Sequence, residues 1–338
     1  MKTIKSELKL CHSCMEEHVV NTIEVMNQQI FKDIEVDYPA IYEYCSNSDE
    51  HFASGDMINK NALAIKDAYR KKIGLLTSSE IIRLREKYGV SQKDLSDILD
   101  WGKATITRYE NHQVQDRAHD DILRKIDTDP EWFIELLNRA NGKLDRKTFD
   151  RYIQTANEHY HKQLNHYLIT SIQAIYAKFN EKDFTGNVDL NLGKVVEVIN
   201  YLAQRIRNLH KVKLMKLLWY SDMLNFKRYG HSITGLAYCA LPMGAVPEGH
   251  EQIMMLDGVS YDTNLYCDNV AYKFRPTPGF TVKLLSGDEL EVINKVISVC
   301  GNLSTQQIID KMHDEEAYKH TPSNCVISYS LAAELSIE

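Results

Sequence analysis

EIIRLREKYGVSQKDLSDILDWGKATITRYENH, residues 80–112, is the stretch that decides the fold. It reads as short helices with clear caps. Thr77, with Glu80 three residues on, is a capping-box signature that opens a first helix over residues 80–87. Gly89 stops it. Ser91, with Asp94 at the third position, opens a second helix whose apolar face is Leu95, Ile98 and Leu99. Trp101-Gly102 makes a tight turn, a third helix runs over residues 104–111, and a fourth follows around residues 118–126. Further helical sequence follows, so a compact five-helix module is expected over residues 75–140.

This segment resembles the Xre/Cro-type helix-turn-helix, whose pattern is LR, Gly-hydrophobic-Ser-Gln, a second helix, and a third ending Arg-aromatic-Glu. The resemblance implies a partly buried ion pair between Arg85 and Glu110, since either charge buried alone would be costly. It also implies that the third helix enters the DNA major groove. Lys103, Thr105, Thr107 and Arg108 are the candidates for base contacts: Arg bonds two guanine acceptors, and Thr methyls touch thymine. Ser91, Gln92 and Lys93 would hold phosphates at the start of the second helix. Residues 75–126 carry nine Lys/Arg and nine Asp/Glu, so the module has no net positive charge. The alternative is a helical module that binds protein; dimerisation on DNA would double its contacts.

On the N-terminal side, residues 1–74 form a different unit. Residues 21–25 and 30–36 are strand-like, and residues 60–73 read as a helix. Cys11-His12-Ser13-Cys14 is a C-x2-C knuckle, the usual half of a zinc site. The second half, CSNSD from Cys45, has Ser48 where a fourth Cys would stand. With Tyr42 and Tyr44 leading into it, the layout resembles the YgiT-type finger that precedes the helix-turn-helix in MqsA-type antitoxins. That resemblance implies Zn2+ on Cys11, Cys14 and Cys45, the fourth ligand coming from His51, Asp49, His12 or His18. A metal-free finger-like fold and three unconnected buried cysteines are the alternatives.

On the C-terminal side, residues 144–180 contain no Gly or Pro and repeat apolar residues at helical spacing, which predicts a long helix or helical hairpin. Residues 141–190 are expected to be a helical linker or dimerisation segment, with the boundary in the polar stretch 183–191. Two amphipathic helices follow, then strand-like residues 233–241 and 270–275, then a helical pair over residues 288–300 and 304–313. KVKLMKLLWYSDMLNFKRYGHSITGLAYCALPMGAVPEG, residues 211–249, resembles the SocA-like or Panacea domain of antitoxins. The matching residues are Lys213, Lys216, Leu217, Leu218, Tyr220, Asp222, Tyr229, Gly230, Thr234, Gly235 and Tyr238, while Met243 and Ala245 replace the family's aromatic and first proline. The resemblance implies an α-rich domain with a few short antiparallel strands over residues 191–338 that neutralises a protein toxin. Lys216, Asp222, Arg228, Tyr229 and His231, with His250 and Glu251, are expected to be exposed groups available to that partner.

The whole chain has 338 residues, 43% hydrophobic and 26% charged, an ordinary composition for a globular, mainly α protein. A net charge of −7 restricts any nucleic-acid contact to part of the surface. Cys239, Cys267, Cys300 and Cys325 are scattered and read as core thiols, which with an odd total of seven fits a reducing cytoplasm. No apolar run approaches a membrane span, and the N-terminus lacks a signal-peptide pattern. The phosphate-loop, nucleophile-elbow and zinc-protease motifs are missing. His159, His161 and His166 lie around a helix rather than on one face, and His250-Glu251 is an isolated pair, so no enzyme is expected. Together the three resemblances describe a homodimeric antitoxin that represses its own operon. The alternative is a prophage-type regulator whose C-terminal domain binds a protein without neutralising a toxin.

Overall fold

Four strands open the chain and pair antiparallel in the order in which they occur: β1 (Lys2–Leu10), β2 (Glu17–Phe31), β3 (Ile34–Cys45) and β4 (Glu50–Phe52). In β3, Val36, Tyr38 and Ala40 are buried while Glu35, Asp37 and Pro39 are exposed, the period of two of a sheet covered on one side. Helix α1 (Gly55–Ile73) packs on β3, and its Asn61 side chain bonds both the N–H and the C=O of Ile41. The expected strand over residues 30–36 is in fact a hairpin: Lys32 and Asp33 both take positive φ (48° and 61°), a two-residue turn between Phe31 and Ile34. No Asn-Gly signal marks it in the sequence. The computed structural model describes residues 1–179, 181–266 and 269–338.

The helical module follows as α2 (Ser78–Lys87), α3 (Gln92–Ile98), α4 (Thr105–Asn111), α5 (Arg117–Thr128) and α6 (Pro130–Arg139). Its core is Ile81, Leu84, Leu95, Ile98, Ile106, Tyr109, Leu123, Ile126 and Phe133. Gly89 follows α2 with φ 63°, a left-handed geometry that a side chain would strain. The long segment expected over residues 144–180 is one helix, α7 (Arg146–Tyr176). The chain divides into two compact units, Met1–Tyr160 and His161–Glu338. Tyr152 and Ala156 of α7 join the core of the first, and Leu168, Ile172 and Tyr176 that of the second.

In the second unit α8 (Leu192–Arg205) and α9 (Lys211–Tyr229) are followed by the hairpin β5 (Tyr238–Leu241) and β6 (Gly244–Pro247). Then come α10 (His250–Met254), the hairpin β7 (Ser260–Tyr266) and β8 (Asn269–Arg275), α11 (Gly287–Cys300), α12 (Thr305–Asp314) and α13 (Glu316–Lys319). Residues 213–225 of α9 are buried without a break, so this helix is the core around which α8, α11, α12, β6 and β8 pack. The strand expected over residues 233–241 begins only at Tyr238, because the N–H groups of Ile233 and Thr234 bond to a side chain of α9 instead of to a neighbouring strand. Of the expected core thiols, Cys300 is buried, Cys239 half-buried and Cys325 exposed; Cys267 lies outside the described residues.

Candidate functional sites

The first site is built on α3 and α4. Ser91 caps α3 by accepting from the Asp94 N–H (3.0 Å), and the Thr77–Glu80 capping box opens α2. Arg85 Nε donates to Glu110 Oε1 at 2.7 Å and Arg85 Nη2 to Oε2 at 3.2 Å, the expected pair between α2 and α4. Gln92 joins it: Nε2 donates to Glu110 Oε2 (2.5 Å), and Oε1 accepts from the Thr107 hydroxyl (2.9 Å). Both ends of the Gln92 amide are therefore engaged inside the module, and Thr107 is half-buried beside it. Thr105 is buried, its hydroxyl accepting from Arg108 Nη2 (3.4 Å). Ser91, Lys93, Lys103 and Arg108 are exposed.

Two side chains from outside the motif hold it. Arg70 of α1 is fully buried and donates to Tyr109 O (2.7 Å), Gln113 O (2.6 Å), Gln115 Oε1 (2.9 Å) and Asp67 Oδ1 (2.6 Å). Asp67 in turn accepts from the Ser78 N–H and hydroxyl at the start of α2. Sequence reading missed both residues. On α1 they look like an ordinary Asp/Arg pair three residues apart, and their other partners lie 11 to 45 positions away.

The second site closes the N-terminal sheet. Cys11 and Cys14 stand in the β1–β2 connection, His18 near the start of β2 and Cys45 at the end of β3. Their ligand atoms all lie within 4.8 Å of one another, with His18 Nε2 3.5 Å from Cys45 Sγ. His18 Nδ1 is 3.0 Å from Val19 O, which as a donor there leaves Nε2 facing the thiols. Ser48, standing where a fourth Cys was expected, gives Cys45 its backbone N–H (3.4 Å), while its hydroxyl bonds Ser13. Hydrogen bonding by Ser48 brings the Cys45 thiol down to about 6, toward the thiolate that metals bind. Three sulfurs and one imidazole at this spacing suit a tetrahedral ion such as zinc. His51 is not in the cluster: its ring stacks on Tyr42 (6.1 Å) and meets Tyr44 edge-on. His12 packs edge-on to Phe52 and Asp49 accepts from Tyr44.

The third site lies in the second unit. Asp222, expected to be exposed, is fully buried and accepts from Ile233 N (2.8 Å), Thr234 N (2.9 Å), the Thr234 hydroxyl and Tyr238 OH (2.6 Å). Burial pushes its pKa up to about 6. Lys216 is buried as well, donates to Ala245 O (3.0 Å), and is pushed down to about 8 by desolvation. Both were expected at the surface because their charge reads as exposed; a helix buried all round leaves them no exposed face. Gly235, next to Thr234, has φ 75°, and a Cβ there would meet Asp189 O at 2.6 Å. Arg228, Tyr229 and His231 are exposed around the C-terminal end of α9, with Arg228 3.7 Å from Glu291 and the Tyr229 and His231 rings stacked. His250 is half-buried and, with exposed Glu251, lines a small pocket beside Cys239.

Residues 81–127 match the family described as Helix-turn-helix, and residues 214–319 match the family described as Antitoxin SocA-like, Panacea domain. The chain carries both domains. The helix-turn-helix match points to DNA binding and the Panacea match to a toxin–antitoxin role. No curated protein and no solved structure matches the chain. The Panacea span runs from α9 through α13, so the Asp222 cluster lies within that domain. The Cys3His cluster fits a degenerate zinc finger placed ahead of the helix-turn-helix. No helix among the described residues is long and apolar enough to cross a membrane.

Proposed function

We propose that this protein is a type II antitoxin: residues 191–338 bind and neutralise a cognate protein toxin, and residues 75–140 repress the operon by binding its operator. The observation that carries this is the presence of a helix-turn-helix and a Panacea domain in one chain. Two copies would occupy operator half-sites about one helical turn apart. Lys93, Lys103 and Arg108 are the exposed DNA contacts in this reading, with the helix start at Ser91 holding a phosphate. Arg228, Tyr229 and His231 form the toxin-facing patch. Zn2+ on Cys11, Cys14, His18 and Cys45 closes the finger, and residues 141–190 join the two working parts. The chain acts by binding, as both matched families do.

Co-expression with the adjacent reading frame tests it. The neighbour alone should arrest growth, and the full chain should relieve the arrest. The Arg108→Ala variant should still relieve it while weakening operator binding by about 1–3 kcal/mol. A neighbour that is harmless on either side of the gene would remove the toxin half of the reading, leaving a regulator that binds some other protein.

A further inference from the structure

Helix α1 lies outside the matched helix-turn-helix, yet it holds the positive charge that the motif lacks. It carries Lys60, Lys66, Arg70, Lys71 and Lys72 against Asp56 and Asp67, whereas residues 75–126 are balanced. Arg70 fixes α1 to the C-terminal end of α4 through Tyr109 O and Gln113 O, and Asp67 fixes it to the start of α2. The position of α1 beside the recognition helix is thus set by buried hydrogen bonds.

On the face of α1 that continues from Arg70, Asn59, Lys60, Leu63 and Lys66 line a groove of about 430 Å3 together with Asn111 and His112. The spacing of 59, 63, 66 and 70 keeps these positions on one side of the helix. Among the described residues, no acidic one lines the groove. Lys60 is exposed and Lys66 half-buried, and neither side chain makes a hydrogen bond or ion pair among the described residues. His112, the residue that ends α4, gives its N–H to Arg108 O and follows it by one helical turn, about 6 Å along the axis. With the major groove about 12 Å wide, a cationic groove one helical turn from a major-groove contact is within reach of the phosphates that border it.

We propose that this groove seats the phosphodiester backbone of the strand bordering the major groove that α4 enters, with Lys60 and Lys66 each neutralising a phosphate. This rests on the DNA-binding reading above. The contact is independent of sequence, and it resolves how a motif with no net charge holds a polyanion: the cations are supplied by a helix bolted to it. Each phosphate neutralised adds about 0.9 to the steepness of log affinity against log salt.

The test uses the full chain, a duplex from upstream of its own reading frame and an unrelated duplex, with affinity read by fluorescence anisotropy across salt concentrations. The Lys60→Gln/Lys66→Gln double variant should bind both duplexes roughly tenfold more weakly, with the salt slope shallower by nearly 2. Its unchanged thermal melt would show that the fold is intact. Lys71→Gln, which removes an exposed charge of α1 outside this groove, should change the slope far less. An unaltered slope in the double variant, while Arg108→Ala still weakens the upstream duplex, would overturn the groove and leave the DNA reading standing. An equal loss from Lys71→Gln would also overturn it, showing diffuse charge rather than a seat. Failure of the unaltered chain to bind either duplex would remove both.

Discussion

Glu110 is held by two donors from different helices, Arg85 and Gln92, and is almost without solvent contact. Removing it leaves a guanidinium that is mostly buried and lacks its counter-charge. Glu110→Ala should therefore cost about 3 kcal/mol, read by urea denaturation of the full chain. Arg85→Met/Glu110→Leu should cost less, because no lone charge remains. Equal losses in the two variants would mean that packing, not charge, decides the matter. Asp222 sets a pH dependence. Its folded pKa of about 6 lies above the ~3.9 of an unfolded chain, so between those values the native state binds more protons than the unfolded one. Its contribution is fully present below pH ~4 and is lost as pH rises to about 6. Asp222→Asn should flatten that part of the stability profile, as followed by thermal melts at pH 4, 5, 6 and 7. A profile as steep as that of the unaltered chain would assign the slope to another group.

At the scale of elements, the finger and α9 show opposite ways of closing a small structure. The cysteine end of the N-terminal sheet has a buried cluster of only Cys11, Val20 and Cys45, too small to hold the strands by apolar burial. A metal held by the donor set there would do that work. Purified protein should carry about one zinc per chain, and chelation or Cys45→Ser should abolish zinc and expose β1 and β2 to hydrogen exchange while α2–α6 stay protected. A zinc content near zero with protected strands would mean that the finger stands without metal. In α9 the opposite holds: thirteen successive buried residues bind it into the core, and the two lysines and the aspartate among them are satisfied by backbone groups and hydroxyls. A charge pattern on that helix looked like a surface. Tertiary contact on every side made it an interior.

At the scale of the whole molecule, the surplus of negative charge sits outside residues 75–126, and α1, fixed to α4 through Arg70, carries a surplus of cations. What the sequence determined was local: caps such as Thr77–Glu80, the left-handed Gly89, the apolar faces of α2–α6, the Cys11–Cys14 knuckle and the KLL helix. Each needs only a few neighbouring residues to be satisfied, so its signal survives in a linear text. The tertiary structure alone decided which distant groups meet. His18 and not His51 joins the three thiols, because strand register brings the start of β2 against the end of β3. Arg70 enters the helical module from a helix outside it. Asp222 and Lys216 vanish into a core although their charge reads as exposed. Those outcomes depend on packing between segments tens of residues apart, and no local pattern carries that information.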